Sequence, residues 1–346
     1  MLAGRLNPTA GTFEMREVPI PEPGPGQVRI KVRAAGVCLS DVHLIDGSLR
    51  PAFLDAPEVT LGHEVAGEID TLGPDVPDQW QPGARVTLEA GERCGQCPRC
   101  TRFRTPCLAI RTRGVDYDGG WAEYALASHH TLVAIPDSLP FDQAAIVPDA
   151  VSTPWGAVAG TGRAEPGRPA GVWGVGGLGA HAVQLLRMIG AAPIIAVDPL
   201  EAARDRAREF GADYAFDPAD SHFGDQIVAV TGGAGLDVAY DMAGVAAVRE
   251  QAMRCLGRDG RLVLVGLTPE PLTVPNSITL SVRGTRILGH YGSQAGDVER
   301  LVELIRYGRL DLSRSISGTL PLAEAPAAVK ALAGKQGNPI RLILTP

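Results

Sequence analysis

A chain of 346 residues is long enough for two domains at roughly 150 residues each, and an apolar fraction of 45% supplies a sizeable core. The formal net charge is −7 and basic residues form no cluster, which argues against nucleic acid or an anionic membrane surface as a partner. No apolar run approaches the ~18 residues of a membrane span, and MLAGRLNPTAGTFE carries no signal-peptide core, so a cytoplasmic protein is expected.

The N-terminal half alternates short apolar stretches with Gly and Pro: QVRIKVRAAGV, EVAGEIDTLG and ARVTLEA read as strands joined by turns. Val28, Ile30 and Val32 alternate with polar residues, the period of a half-buried strand. A mostly antiparallel, barrel-like domain is expected over residues 1–150. After Val151 strands alternate with helices. Gly171–Val175, Pro193–Val197, Leu236–Tyr240 and Arg261–Val265 read as strands. His181–Ile189, closed by Gly190, Ala202–Phe210, stopped by Gly211, and Val245–Leu256 read as helices. This alternation implies βαβ units and a doubly wound parallel sheet over residues 151–287. The sheet pattern runs out near Ile287. A helix over Asp297–Tyr307, a helix over Ala323–Leu332 and a strand over Ile340–Leu344 follow, and residues 288–346 are assigned back to the first domain.

Six cysteines in an enzyme-sized chain without a leader point to metal or core use rather than disulfides. Cys255 reads as a small buried hydrophobe. Cys94, Cys97, Cys100 and Cys107, in CGQCPRCTRFRTPC, have the clustering of a tetrahedral four-thiolate zinc cage, with an iron–sulfur cluster as the alternative. Four protein ligands leave no open position, so the cage is expected to be structural. A second soft-metal constellation is carried by CLSDVH and GHEVAG. Cys38 and His63 are candidate ligands there, and Asp41 is placed to hydrogen-bond the far imidazole nitrogen and fix its tautomer.

GVGGLG follows an apolar strand and precedes a helix, the context in which a glycine fingerprint binds a dinucleotide. Gly174 allows the tight turn, Gly176 the approach of the pyrophosphate, and Gly179 close helix–strand packing. Gly177 and Leu178 begin the helix whose free amides face the phosphates. Asp198 ends the next strand, where a carboxylate accepts from ribose hydroxyls and repels a 2′-phosphate, so NAD is expected over NADP although Arg204 and Arg206 lie near. Zinc plus a nicotinamide dinucleotide implies hydride transfer.

CLSDVH, GHEVAGEI, CGQCPRC, DGGWAEY and GVGGLG occur in the order seen in zinc-dependent medium-chain alcohol dehydrogenases, and the chain resembles that family over essentially its whole length. The resemblance implies a GroES-like catalytic domain joined to a Rossmann domain, and two Zn2+ per chain, one catalytic and one structural. Cys38 and His63 resemble two catalytic-zinc ligands. The third is often a cysteine in the family; the matching stretch AAIVPDAVSTPWGAV holds Asp149, and some members use Asp. Glu64 resembles a glutamate that approaches the metal transiently. Ser40 and His43 resemble a proton relay to solvent, fitting a side chain that titrates near neutrality. Position 39 is Leu where some relatives place a basic residue, so phosphate contacts are assigned to backbone amides and Arg341, which resembles the family's C-terminal arginine. The implied reaction interconverts a primary or secondary alcohol with its aldehyde or ketone; the alternatives are a polyol dehydrogenase or a specialised reductase on the same scaffold. The implied assembly is a homodimer or homotetramer. Trp121, Trp155 and Tyr291 are candidates for pocket lining or for core.

Overall fold

The computed structural model of the chain describes residues 1–103, 107–274 and 276–346. Two compact units emerge, one of Met1–Ala150 with Ser293–Pro346 and one of Val151–Gly292.

The first unit is built on strand Gln27–Val37. Val28, Ile30 and Val32 are buried while Lys31 and Arg33 are exposed, as the period-two pattern requires. On one side this strand pairs antiparallel with Val65–Leu72, which leads to Arg85–Leu88 and Leu132–Ala134. On the other it pairs with Tyr124–Ser128 and, further along, with the C-terminal strand Arg341–Thr345, itself parallel to Ile316–Pro321. A three-stranded sheet of Thr12–Glu17, Leu2–Asn7 and Val59–Thr60 packs with it. Leu6, Ile30, Leu61, Val65, Leu88, Trp121 and Leu344 fill the core between them. Each such side chain contributes about 1.5–3 kcal/mol by leaving water.

Trp121 is fully buried and its indole N–H donates to the Gly36 carbonyl at 3.0 Å, so it is a core residue. The register Leu342↔Val37 and Ile343↔Gly36 brings the start of the C-terminal strand to the end of Gln27–Val37, just before Cys38.

The second unit is a six-stranded parallel sheet. Its spatial order is Tyr214–Phe216, Ile194–Val197, Ala170–Trp173, Leu236–Asp241, Leu256–Leu264, Arg286–Gly289. In chain numbering this is 3-2-1-4-5-6, the doubly wound arrangement with its switch point beside the first strand. The central strands Ala170–Trp173 and Ile194–Val197 are buried at every position, which explains their continuous apolar reading.

Three sequence expectations need correction here. The sheet continues past Ile287: Arg286–Gly289 is its sixth strand, and this unit runs to Gly292. At the sheet edge that strand buries none of its residues, so it lacks the apolar run that marks an inner strand. Strand Tyr214–Phe216, at the opposite edge, is only three residues long, too short to carry a period. The helix expected from His181 begins at Gly177, because GLGA forms its first turn; it ends at Gly190 with φ 94°, as the glycine signalled. Helices Phe223–Val230 and Ser277–Arg283 were also unread.

No helix among the described residues is long and apolar enough to cross a membrane.

Glu89, just past strand Arg85–Leu88, carries a built-in cost. Burial and the nearby Glu299 carboxylate push its carboxyl up to about 7. Raised above its unfolded value, this group contributes stability that is fully present in acid and is lost as pH rises through about 7. Glu89→Gln is therefore predicted to raise stability at pH 8 by about 1–2 kcal/mol, with a smaller gain at pH 5, measured by thermal melts at the two values.

Candidate metal centre and dinucleotide loop

Cys38 ends the long strand and caps the short helix Leu39–Ile45. Its amide donates to Asp41 Oδ2 at 2.8 Å, so a residue of the helix's first turn pins the strand end in place. Asp41 is fully buried, and its other oxygen lies 3.5 Å from His63 Nδ1. Among the described residues, neither Asp41 Oδ1 nor His63 Nδ1 has another hydrogen-bond partner. The carboxylate thus favours the tautomer protonated at Nδ1 and turns Nε2 toward Cys38 and Asp149.

Asp149 arrives on a turn of π-helix, Val147–Val151. Its Oδ2 lies 3.3 Å from Cys38 Sγ and 3.5 Å from His63 Nε2. Metal–ligand lengths of about 2.0–2.3 Å in a tetrahedral site imply donor separations of about 3.3–3.8 Å, so the three donors fit one zinc ion. The set brings three candidate ligand atoms within 4.8 Å of one another, and a tetrahedral ion held by them would have one position left for water or substrate. Burial works to lower the His63 pKa, but Asp41 and Asp149 outweigh it and hold the imidazole well above its usual range. Carboxylates that favour a proton there favour a divalent cation more.

Ser40 Oγ is 3.4 Å from His63 Nε2, at the metal site. His43 lies one turn along the same helix, partly exposed, with Nδ1 3.1 Å from Ser48 Oγ.

Glu64 is fully buried behind the ligands. Its Oε1 accepts from Arg341 Nε at 3.0 Å, Arg341 Nη2 at 2.7 Å and the Ala150 amide at 3.0 Å. Burial pushes the Glu64 carboxyl up to about 7 even against the pull of Arg341. Arg341, buried as well, also donates to Asp149 Oδ2 at 3.1 Å and lies 3.6 Å from Cys38 Sγ. The guanidinium that the resemblance assigns to cofactor phosphates is paired here with the Glu64 and Asp149 carboxylates, the first a pairing that no local sequence pattern signals across 277 residues. Among the described residues Glu64 Oε2 has no hydrogen-bond partner; it rests against Gly36, where a Cβ would stand 1.8 Å from it. Gly36 is a second unread residue: only glycine leaves room for this carboxylate.

The four cage thiols converge, with Sγ–Sγ distances of 3.4 Å for Cys94–Cys107, 3.5 Å for Cys97–Cys100 and 4.0 Å for Cys94–Cys100 and Cys97–Cys107. Disulfides need about 2.05 Å, whereas sulfurs about 3.8 Å apart suit a tetrahedral zinc. The Leu108 amide pulls Cys97 down to about 6, while desolvation and its neighbours push Cys100 up to about 12. Four thiolates cannot share this space without a cation. Arg104, Thr105 and Pro106 of the motif lie outside the described residues.

In the second unit Gly174 takes φ 87° at the turn after the first strand. A Cβ at Gly179 would stand 1.8 Å from the Gly174 carbonyl oxygen, whereas one at Gly176 would meet nothing within 4 Å. Gly179 is therefore demanded by the fold, and Gly176 keeps an open approach for a ligand. No side chain caps the helix that starts with Gly177 and Leu178, and its N-terminal amides suit a pyrophosphate.

Asp198 is buried, its Oδ2 accepting from the Val175 amide and its Oδ1 from the Leu200 amide. Arg204 donates to the carbonyls of Asp198 and Pro199 and pairs with Asp217, and Arg206 donates to the Val175 carbonyl. Two histidines left without a role in the sequence are bonded here: His181 Nδ1 to the Gly177 carbonyl, and His290 between Thr161 Oγ1 and the Thr153 carbonyl.

A family described as "Alcohol dehydrogenase GroES-like domain" matches residues 24–137, and one described as "Zinc-binding dehydrogenase" matches residues 177–306. An NDMA-dependent alcohol dehydrogenase of Amycolatopsis methanolica is 33% identical over 99% of this chain and 98% of its own length. An L-threonine 3-dehydrogenase of Pyrococcus horikoshii is 31% identical over 88% of this chain and 87% of its own. Among solved structures, a "putative zinc-binding dehydrogenase" from Sinorhizobium meliloti 1021 bound to NADP is 31% identical with a TM-score of 0.90, covering 100% of this chain and 99% of its own.

The chain belongs to the zinc-dependent medium-chain dehydrogenase/reductase family, with a GroES-like domain and a Rossmann-like parallel sheet. It is an oxidoreductase of the alcohol dehydrogenase kind.

Gly36→Ala is predicted to displace Glu64 and weaken zinc retention at the three-donor site by at least about tenfold. Cage zinc should be unchanged, read as zinc content after stepwise chelation.

Proposed function

We propose that the protein is an NAD-linked, zinc-dependent alcohol dehydrogenase. In this reading Cys38, His63 and Asp149 hold a catalytic zinc, and Cys94, Cys97, Cys100 and Cys107 hold a structural one. The observation that carries it is the convergence of three soft and hard donors with an open fourth position, in a chain that also holds an uncapped glycine-rich helix start. Bound zinc supplies a Lewis acid that makes an alcohol hydroxyl acidic near neutral pH, and the dinucleotide supplies the hydride acceptor.

The chain's own residues do the rest. Asp41 orients His63, and Glu64 with Arg341 balances the buried charge around the ligands. The Ser40 hydroxyl, beside the ligand nitrogen, accepts and passes on the substrate proton. His43, one turn further along the helix and partly exposed, exchanges it with water. A polyol dehydrogenase or a specialised reductase would use the same residues with a different substrate.

NAD is favoured over NADP. The Asp198 carboxylate is held by two amides at the end of the second strand, where it repels a 2′-phosphate. Arg204 is occupied by carbonyls and by Asp217, and Arg206 contacts the Val175 carbonyl. The Sinorhizobium relative binds NADP, so the two cofactors are compared directly in the test.

A homodimer or homotetramer is also proposed. It is supported by the open edge of strand Arg286–Gly289 and by exposed Ile278, Val282 and Tyr291 nearby.

The test offers NAD and NADP separately with primary, secondary, benzylic and polyol alcohols, with and without a zinc chelator. Chelator-sensitive NADH formation is expected. Reduction that survives complete removal of zinc would overturn the zinc mechanism, and silence toward every alcohol would favour the specialised reductase. Asp198→Ala is predicted to move the NADP/NAD ratio of kcat/KM toward NADP by about tenfold or more; an unchanged ratio would reject the role given to Asp198.

A further inference from the structure

Asp149 differs from a cysteine ligand in having two oxygens, and a carboxylate takes a metal through one of them or through both. The second mode, with water retained, would raise the coordination number from four to five and crowd the position that a substrate needs.

We propose that Arg341 is a positioning residue that holds Asp149 as a one-oxygen ligand and so keeps the fourth position open. The inference rests on Cys38, His63 and Asp149 being the ligands.

The oxygen of Asp149 that faces Cys38 Sγ at 3.3 Å and His63 Nε2 at 3.5 Å is Oδ2. The same Oδ2 accepts from Arg341 Nη2 at 3.1 Å. Rotating the carboxylate to offer both oxygens would break that hydrogen bond. The guanidinium is itself fixed, since Nε and Nη2 both donate to Glu64 Oε1, with side-chain exposures of 4% for Arg341 and 0% for Glu64. Glu64 Oε1 is held in turn by the amide of Ala150, the residue after Asp149. The clamp therefore grips position 149 twice, once at its carboxylate and once through its neighbour's backbone. Lysine presents a single point charge and cannot reproduce a planar fork that serves two carboxylates. A thiolate at 149 would have one donor atom and would not need the clamp.

The test reads coordination number directly. Co2+ is exchanged into the three-donor site with zinc kept in the cage, and its visible d–d band is recorded for the wild type and for Arg341→Lys. Four-coordinate Co2+ absorbs more strongly than five-coordinate Co2+, so the variant's band is expected to fall by roughly twofold. In an Asp149→Cys background the same Arg341→Lys change is expected to leave the band unaltered. Should Arg341→Lys fail to fold, Glu64→Gln/Arg341→Gln, which removes both charges of the buried pair, is compared with Glu64→Gln in the same way.

An unchanged band with Asp at 149, or an equal fall with Cys at 149, would overturn the proposal, because a purely structural arginine acts alike on both ligands. A wild-type protein that takes up no Co2+ at this site would overturn the ligand assignment itself, a failure distinct from the other two.

Discussion

The contact between Glu64 and Arg341 is the constraint on which the proposed metal centre depends. Both groups are buried, and each replaces much of the water the other has shed, with the Ala150 amide and Asp149 supplying further bonds. Removing one partner of such a pair costs about 3–5 kcal/mol, because the survivor is left as an uncompensated charge. The pair does more than balance charge. Glu64 adjoins His63 in sequence and bonds the amide next to Asp149, while Arg341 reaches Asp149 and lies beside Cys38. Three ligands that are far apart in the chain are tied by one carboxylate and one guanidinium. The C-terminal strand delivers the guanidinium through its register with Gln27–Val37, so the last residues of the chain complete a site whose first ligand is Cys38.

The nucleotide unit works by the opposite principle, the removal of side chains. Gly179 is required because its neighbour's carbonyl occupies the place of a Cβ, and Gly174 because the turn needs positive φ. Gly176 is free of both demands, and its openness is what a ligand's close approach would use. Around it Asp198 is fixed by two amides.

Much of this was legible from local pattern. The alternation at Val28, Ile30 and Val32, the apolar runs before Gly174 and Asp198, and the stop at Gly190 each reflect a physical period or a backbone conformation that the sequence spells out. The cage spacing likewise announces four sulfurs that the fold brings together. The edge strands Tyr214–Phe216 and Arg286–Gly289 escaped because they are only three and four residues long and lie mostly unburied at the sheet edges. The resemblance to the family's C-terminal arginine assigns Arg341 to phosphate. The structure also pairs it with Glu64 and Asp149, far from it in sequence, and nothing near Arg341 encodes a strand register. Gly36 looked like one more strand residue, although the position of Glu64 depends on its missing side chain.

The central claim is that the chain builds one closed and one open zinc site, and X-ray absorption at the zinc edge of the purified protein tests it most directly. Five cysteine sulfurs shared by two ions predict two zincs per chain with an average of about 2.5 sulfur and 1.5 nitrogen or oxygen neighbours each. One zinc per chain with four sulfur neighbours would mean that only the cage binds, and would contradict the account of Cys38, His63 and Asp149.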